Sequence, residues 1–238
     1  MLLSRSIQSK SFGLKAKFLL AVMALVFSFS SFAFFAPASV VDAAGVTFSV
    51  DKATVRLGEP ILITGSGFLS GEKIAIWLSG PGGPKDVHDA GYLNAGPDGV
   101  FTSFPVGGGD TSANNITIGS GAGQWAVTVQ GLNSGFTASA TFEVLAPELA
   151  LAGAHLSGTV YLVIYAGINW FPEERVSLWI TAPDGSTAAL EYTYADASGN
   201  IPDPTKIGFI FSGPVGIYGV TAQGAVSKHP VAVHFSIG

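Results

Sequence analysis

Residues 46–238 contain one pattern written twice, and this limits the chain to folds that two similar units can each complete. Gly71-Glu72-Lys73-Ile74-Ala75-Ile76-Trp77-Leu78 is answered by Glu173-Glu174-Arg175-Val176-Ser177-Leu178-Trp179-Ile180, at an offset of 102. Gly65, Pro81 and Gly83 recur at the same offset as Gly167, Pro183 and Gly185, while Ala95 and Gly99 recur at an offset of 100 as Ala195 and Gly199. Towards the end of each copy, Gly123, Val127, Thr128, Gln130, Gly131, Ser134 and Phe142 become Gly216, Val220, Thr221, Gln223, Gly224, Ser227 and Phe235, at an offset of 93. The falling offset makes the second copy 9 residues shorter, and 7 of these are lost between Gly99 and Gly123. Length changes collect in surface loops, so the Gly- and Asn-rich stretch 107–123 reads as a loop.

Within each copy, Val, Ile, Thr, Phe and Tyr alternate with polar residues over short runs separated by Gly, Pro, Asp and Asn. That is the signature of half-buried strands. In the first copy strands are expected near 46–57 (broken at Asp51-Lys52), 60–66, 73–79, 87–93, 99–104, 124–130 and 136–145. In the second they are expected near 155–165, 174–181, 187–194, 200–210, 216–222 and 230–237. After residue 44 no stretch sustains a helical period for three turns. Many short strands at this spacing make an all-β sandwich or barrel. The reading is two tandem antiparallel β-sandwich domains, 46–145 and 148–238, joined by a linker of two to four residues around Ala146-Pro147-Glu148, where Pro147 interrupts strand pairing.

Leu57-Gly58-Glu59-Pro60-Ile61-Leu62-Ile63-Thr64-Gly65-Ser66-Gly67-Phe68 resembles the opening of bacterial immunoglobulin-like, IPT/TIG-type domains, an apolar strand running into a Gly-x-Gly-Phe bend. The Gly-Glu-Lys-Ile-Ala-Ile-Trp-Leu run with a late Val-Thr-Val-Gln-Gly is similar to the immunoglobulin-like repeats of large secreted bacterial proteins. The resemblance spans 46–238 and implies the immunoglobulin-like fold. It implies spacer, adhesive or accessory roles and no particular activity. The second copy departs from it at Ala166-Gly167-Ile168-Asn169-Trp170, where the Gly-rich bend is replaced.

Ahead of both copies, Arg5, Lys10, Lys15 and Lys17 precede an uncharged run from Phe18 to Val41, followed by small residues. This order is that of a secretory signal helix, so residues 1–43 are expected to be a signal peptide. An uncleaved anchor is the alternative, since the run is long enough to cross a bilayer. The expected location is secreted or at the cell surface. Without residues 1–43 the chain carries 7 basic and 15 acidic residues, a net charge of −8. That balance argues against nucleic acid, whose phosphates need Lys and Arg, and leaves membrane contact to the N-terminal segment alone. Cysteine is absent, so the core rather than disulfides must hold each unit, and thiolate chemistry is excluded.

No motif for catalysis emerges. Gly65-Ser66-Gly67 and Gly119-Ser120-Gly121 fall short of a Gly-x-Ser-x-Gly elbow. His229 and His234, five apart, fall on opposite faces of a strand. Asp86, Asp89, Asp98, Asp110, Asp196 and Asp203 form no calcium-loop pattern. No enzyme activity, cofactor or metal is expected. The candidate ligand contacts are aromatic and amide side chains. Ile74, Ile76 and Leu78 share one strand face and Val176, Leu178 and Ile180 another, which turns Trp77 and Trp179 outward. Trp125 and Tyr218 occupy matching positions and read as core. Trp170, at a bend, either plugs the contact between domains or forms an exposed tip. Asn114 and Asn115 lie in the inserted loop. The function expected is an exported structural or interaction module, for adhesion or spacing, with a protein or polysaccharide at the cell surface as partner. One alternative is a carbohydrate-binding module using exposed Trp. Another is an assembly or filament subunit joined through edge strands.

Overall fold

A computed structural model describes residues 45–107, 121–201 and 208–237. The segment 1–43, expected as a signal helix, and Asn114 and Asn115 in the inserted loop lie outside the described residues. The first copy forms β1 (Thr47–Val50), β2 (Thr54–Arg56), β3 (Ile61–Ser66), β4 (Lys73–Ser79), β5 (Val87–Asn94), β6 (Phe101–Val106), β7 (Gly123–Gly131) and β8 (Thr137–Leu145). These make one sheet of order β1-β3-β6 and one of order β2-β8-β7-β4-β5. The second copy forms β9 (Glu148–Ser157), β10 (Val160–Ile168), β11 (Arg175–Thr181), β12 (Thr187–Ala189), β13 (Thr193–Tyr194), β14 (Gly208–Ser212), β15 (Gly216–Gly224) and β16 (Pro230–Ile237). Its sheets are β14-β10-β9 and β12-β11-β15-β16, with β13 also on β11. Among the described residues the only helical element is one 3₁₀ turn, Gly83–Lys85, and no helix is long and apolar enough to cross a membrane. The chain is an all-β, immunoglobulin-like pair.

The alternation that marked the strands is the alternation of burial. In β4, Ile74, Ile76 and Leu78 are at most 1 % exposed while Ala75, Trp77 and Ser79 are half-buried. β11 repeats this with Val176, Leu178 and Ile180 inward. Buried apolar residues gather into two clusters. One runs from Val46 to Val144 and the other from Leu149 to Ile237. Each fully buried aliphatic or aromatic side chain contributes about 1.5–3 kcal/mol, which is how a cysteine-free unit of this size holds together.

The two copies part company at their first strands. In the first, Asp51 accepts the Leu62 amide at 2.7 Å, the chain breaks, and β2 crosses to the other sheet to pair in parallel with β8. Pro60 then delays β3, because it has no N–H to donate. In the second copy no such break occurs. Ala152, Gly153 and Ala154 continue the ladder, and β9 and β10 form one long hairpin closed by Gly158-Thr159, with Gly158 at φ 55°. A single strand over 155–165 is therefore incorrect: that range holds the end of one strand, its turn and the start of the next. The expected 187–194 strand is interrupted between Ala189 and Thr193. Of 200–210, Ile201 forms an isolated bridge to Gly167 and β14 begins at Gly208, while 202–207 lie outside the described residues.

Three left-handed positions are kept by shape and not by residue type. Gly67, Gly71 and Gly135 have φ of 87°, 67° and 72°, and their counterparts Asn169, Glu173 and Lys228 have 66°, 60° and 59°. A side chain in this region costs roughly 1–2 kcal/mol for an ordinary residue and less for Asn. Glu173→Gly and Lys228→Gly should therefore each stabilise the second unit by about 0.5–1 kcal/mol, after the added chain entropy of glycine is deducted. The urea midpoint of the second unit measures this, and Gly71→Ala should move the first unit the opposite way.

Candidate functional surfaces

At one end of each sandwich a buried glutamate ties three loops together. Glu72 is 1 % exposed. Its Oε1 accepts the amides of Asn133 at 2.8 Å and Ser134 at 2.5 Å, and its Oε2 accepts the Leu69 amide and the Ser134 hydroxyl, both at 3.0 Å. Glu174, 3 % exposed, does the same: Oε1 accepts Phe171 N–H at 2.8 Å, and Oε2 accepts Val226 N–H at 3.0 Å and Ser227 N–H at 3.1 Å. Burial by itself would raise the Glu72 pKa, but the donors from Ser134, Leu69 and Asn133 outweigh it and hold the carboxyl below its ordinary value. The backbone of each glutamate takes part as well, since its carbonyl accepts the amide of Ala95 or Ala195 at 2.8 and 2.9 Å.

Two repeated glycines make room for this arrangement. A Cβ at Gly131 would lie 2.6 Å from Glu72 Oε1, and one at Gly224 would lie 2.3 Å from Glu174 Oε2. Gly99 and Gly199, at φ 74° and 83°, bring their turns so close that a Cβ would stand 2.1 Å from the Phe68 carbonyl oxygen and 2.2 Å from that of Trp170. Both carbonyls of these glycines accept in return, from Phe68 N–H at 3.2 Å and Trp170 N–H at 3.0 Å. The repeated Glu, Gly and Ser residues thus have a shared structural task, which their recurrence in the sequence does not by itself reveal.

The expected ligand contacts separate. Trp77 and Trp179 stand on the outward side of β4 and β11, half-buried, with Thr128 and Thr221 beside them in register on β7 and β15. Trp170 is fully buried in the second core, so its ring has no surface to offer a ligand. It stands where Phe68 stands in the first copy, at the offset of 102. Trp125 and Tyr218 are core residues, 1 % and 3 % exposed. Each donates to the carbonyl four residues before it, Trp125 Nε1 to Gly121 at 3.0 Å and Tyr218 Oη to Pro214 at 2.9 Å. Lys73 at the start of β4 lies over the Tyr92 ring at 4.2 Å and Arg175 at the start of β11 over that of Tyr192 at 4.4 Å, a repeated cation–π pair. His88 bonds Asp86 at 2.7 Å and stacks on Trp125 at 5.8 Å. His229 and His234 fall just before and within β16. Among the described residues no three His, Asp or Glu side chains converge as metal ligands.

The joint between the units is specific. Only Ala146 and Pro147 separate β8 from β9. Asn169 Nδ2 donates to the Ala146 carbonyl at 3.1 Å, and Arg56 Nη2 at the end of β2 donates to the Ser198 carbonyl at 2.9 Å. The end of the second unit that Glu174 ties together therefore abuts the first unit. In the first unit, β8 runs from the loops held by Glu72 to this joint, which puts the Glu72 end on the opposite side.

The family model described as the macroglobulin-like domain matches residues 43–144 and again 153–237. No curated protein matches the chain. Among solved structures, a tetra-tandem repeat from the extending region of a large adhesion protein is 17 % identical, with 86 % of this chain and 50 % of that one covered and a TM-score of 0.33. Bovine butyrophilin is 10 % identical, with 80 % and 99 % covered and a TM-score of 0.31. Three N-terminal domains of the Hoc outer capsid protein of bacteriophage RB49 are 14 % identical, with 81 % and 58 % covered and a TM-score of 0.33. This chain spans about half the length of the adhesion-protein and capsid-protein structures.

Removing a buried charge acceptor leaves several donors unpaired. Glu72→Gln should destabilise the first unit by about 3 kcal/mol at neutral pH, since an amide turns an N–H₂ towards donors. The Glu72 carboxyl has a lowered pKa, so its contribution is present above the unfolded carboxyl pKa of about 4.3 and is lost as pH falls through the lower folded value. The wild-type first unit should accordingly lose stability in acid more steeply than the Glu72→Gln variant, as thermal unfolding between neutral pH and pH ~3 would show.

Proposed function

Since the chain belongs to the macroglobulin-like domain family, we propose that it is an exported structural and interaction module, a pair of immunoglobulin-like sandwiches held as one body to space or present a binding surface, and that it works without catalysis. The observation that carries this reading is the joint. A two-residue connection, a side-chain bond from Asn169 to Ala146 and a guanidinium bond from Arg56 to Ser198 remove the freedom that a longer polar linker would leave. The polar residues repeated in both copies support the same reading, because Glu72, Glu174 and Ser134 are occupied in holding loops. Export rests on the charged start and apolar run of residues 1–43, and detection of envelope or culture-fluid protein beginning after Ala43 would support it. An acidic mature chain with outward-facing aromatic residues suits a protein or polysaccharide partner at the cell surface.

Backbone ¹⁵N relaxation on the full chain tests the spacer reading. The two units should share one rotational correlation time. In the double variant Arg56→Ala/Asn169→Gly they should tumble separately, with glycine chosen at 169 because it keeps the positive φ. Independent tumbling in the unaltered chain would contradict the reading.

A further inference from the structure

Among the described residues, the second unit has no counterpart of β2, a strand that the first unit has. In the first, β2 lies along the outer edge of β8 in parallel, with Thr54 beside Glu143, Val55 beside Val144 and Arg56 beside Leu145. The Glu143 amide donates outward to Ala53 O at 2.8 Å, and the Leu145 carbonyl accepts Leu57 N–H at 2.9 Å. Val55 and Leu57 turn into the core, 1 % and 6 % exposed. The counterpart of β8 is β16, at the end of its sheet, and among the described residues nothing pairs with its outer edge. The chain that would have crossed over went instead into the β9–β10 hairpin.

The missing strand leaves a mark in packing. Phe142, next to the stretch of β8 that β2 pairs with, is 3 % exposed, whereas its counterpart Phe235 in β16 is only partly buried; Ile237, the counterpart of Val144, stays buried. Between β16 and the β9–β10 hairpin lies a groove of about 310 Å³. It is lined by Leu151, His155, Tyr161, Val163, Phe235 and Ile237, the last two being the counterparts of Phe142 and Val144. In the first unit Val55, in register with Val144, is buried at the corresponding edge.

We propose that the outer edge of β16 and this groove form a docking site for an extended strand of a partner polypeptide, which pairs in parallel with β16 and sets a β-branched apolar residue into the groove. β2 shows the chemistry such a strand needs, since it is what completes the same edge one repeat earlier. Main-chain bonds would supply affinity and the groove would select the inward residue, the general mode of strand addition at an open edge. Charge sets a further preference. From Glu148 to the end the chain carries 7 acidic and 3 basic residues, so a strand bearing a basic residue next to its inward one, as Arg56 follows Val55, is favoured. The Ser236 amide, counterpart of that of Glu143, is the donor that the arriving strand would engage. The inference does not depend on the rigidity of the joint.

The probe is a synthetic peptide with the sequence of residues 52–59, Lys-Ala-Thr-Val-Arg-Leu-Gly-Glu, added to the full ¹⁵N-labelled chain. Saturable shift changes confined to β16, β9 and the groove are expected, with new amide protection at Ser236. Aspartate in place of the peptide's valine should weaken binding at least 10-fold, and Ser236→Pro in the chain should do the same while leaving the β15–β16 ladder intact. The peptide variant keeps the test decisive even if Ser236→Pro does not fold. No saturable change at millimolar peptide, or equal binding by the aspartate peptide, would overturn the proposal. So would a concentration-dependent dimer of the chain that protects β16 without peptide, because two copies would then be pairing edge to edge.

Discussion

A carboxylate almost closed to water, held by backbone amides of its own loop and of a distant hairpin turn, is the interaction on which the geometry of each sandwich depends. A β-sandwich core is non-directional: it brings sheets together without deciding how the loops at their ends are arranged. Glu72 and Glu174 decide it. Glu72 sits where the bend after β3 meets the turn after β5 and the β7–β8 hairpin, and Glu174 where the bend after β10 meets the turn after β13 and the β15–β16 hairpin. Each draws amide donors from at least two of these. A charged acceptor makes stronger bonds than a neutral one, and the cost of burying it without partners makes any looser arrangement unfavourable. The neighbouring residues follow from this. Glycine at 131 and 224 leaves space for the carboxylate, and serine at 134 and 227 turns its backbone towards it.

The same end of the fold performs different services in the two units. In the second it meets the first unit, and Asn169 takes the place of Gly67 and spends its side chain on the Ala146 carbonyl. In the first it faces away. The sheets differ too. A break at Asp51 sends the first unit's chain across to the opposite sheet, and the smooth Ala-Gly-Ala run of the second does not. One local difference in turn chemistry therefore changes which strand edge is covered, although the cores on either side of it follow one plan.

Much of this was legible from the residues. Period-two alternation marked the strands from β3 to β8 and from β15 to β16 to within a few residues, and it placed Trp77 and Trp179 on the outer side of their sheets. Matching Trp125 to Tyr218 correctly made both core. The same alignment, carried to Phe68, would have put Trp170 in the core; its position at an apparent bend hid this. The β9–β10 hairpin was missed because Ala-Gly-Ala-His carries almost no alternation, and two short apolar runs with Gly158 between them read as one. The glutamates were visible as repeats, yet a charged residue beside a glycine turn is ordinarily solvated. Only the positions of the distant amides, 61 and 62 residues after Glu72 and 52 and 53 after Glu174, reveal them as buried.

Amide hydrogen exchange under native conditions tests the role of the buried carboxylates most directly. Ser134 and Ser227 belong to hairpin turns, whose amides ordinarily exchange quickly. If Glu72 and Glu174 hold those turns, both amides should exchange as slowly as those of the central strands β7 and β15, and exchange together with them. Exchange at the rate of an unprotected turn in either unit would contradict the account.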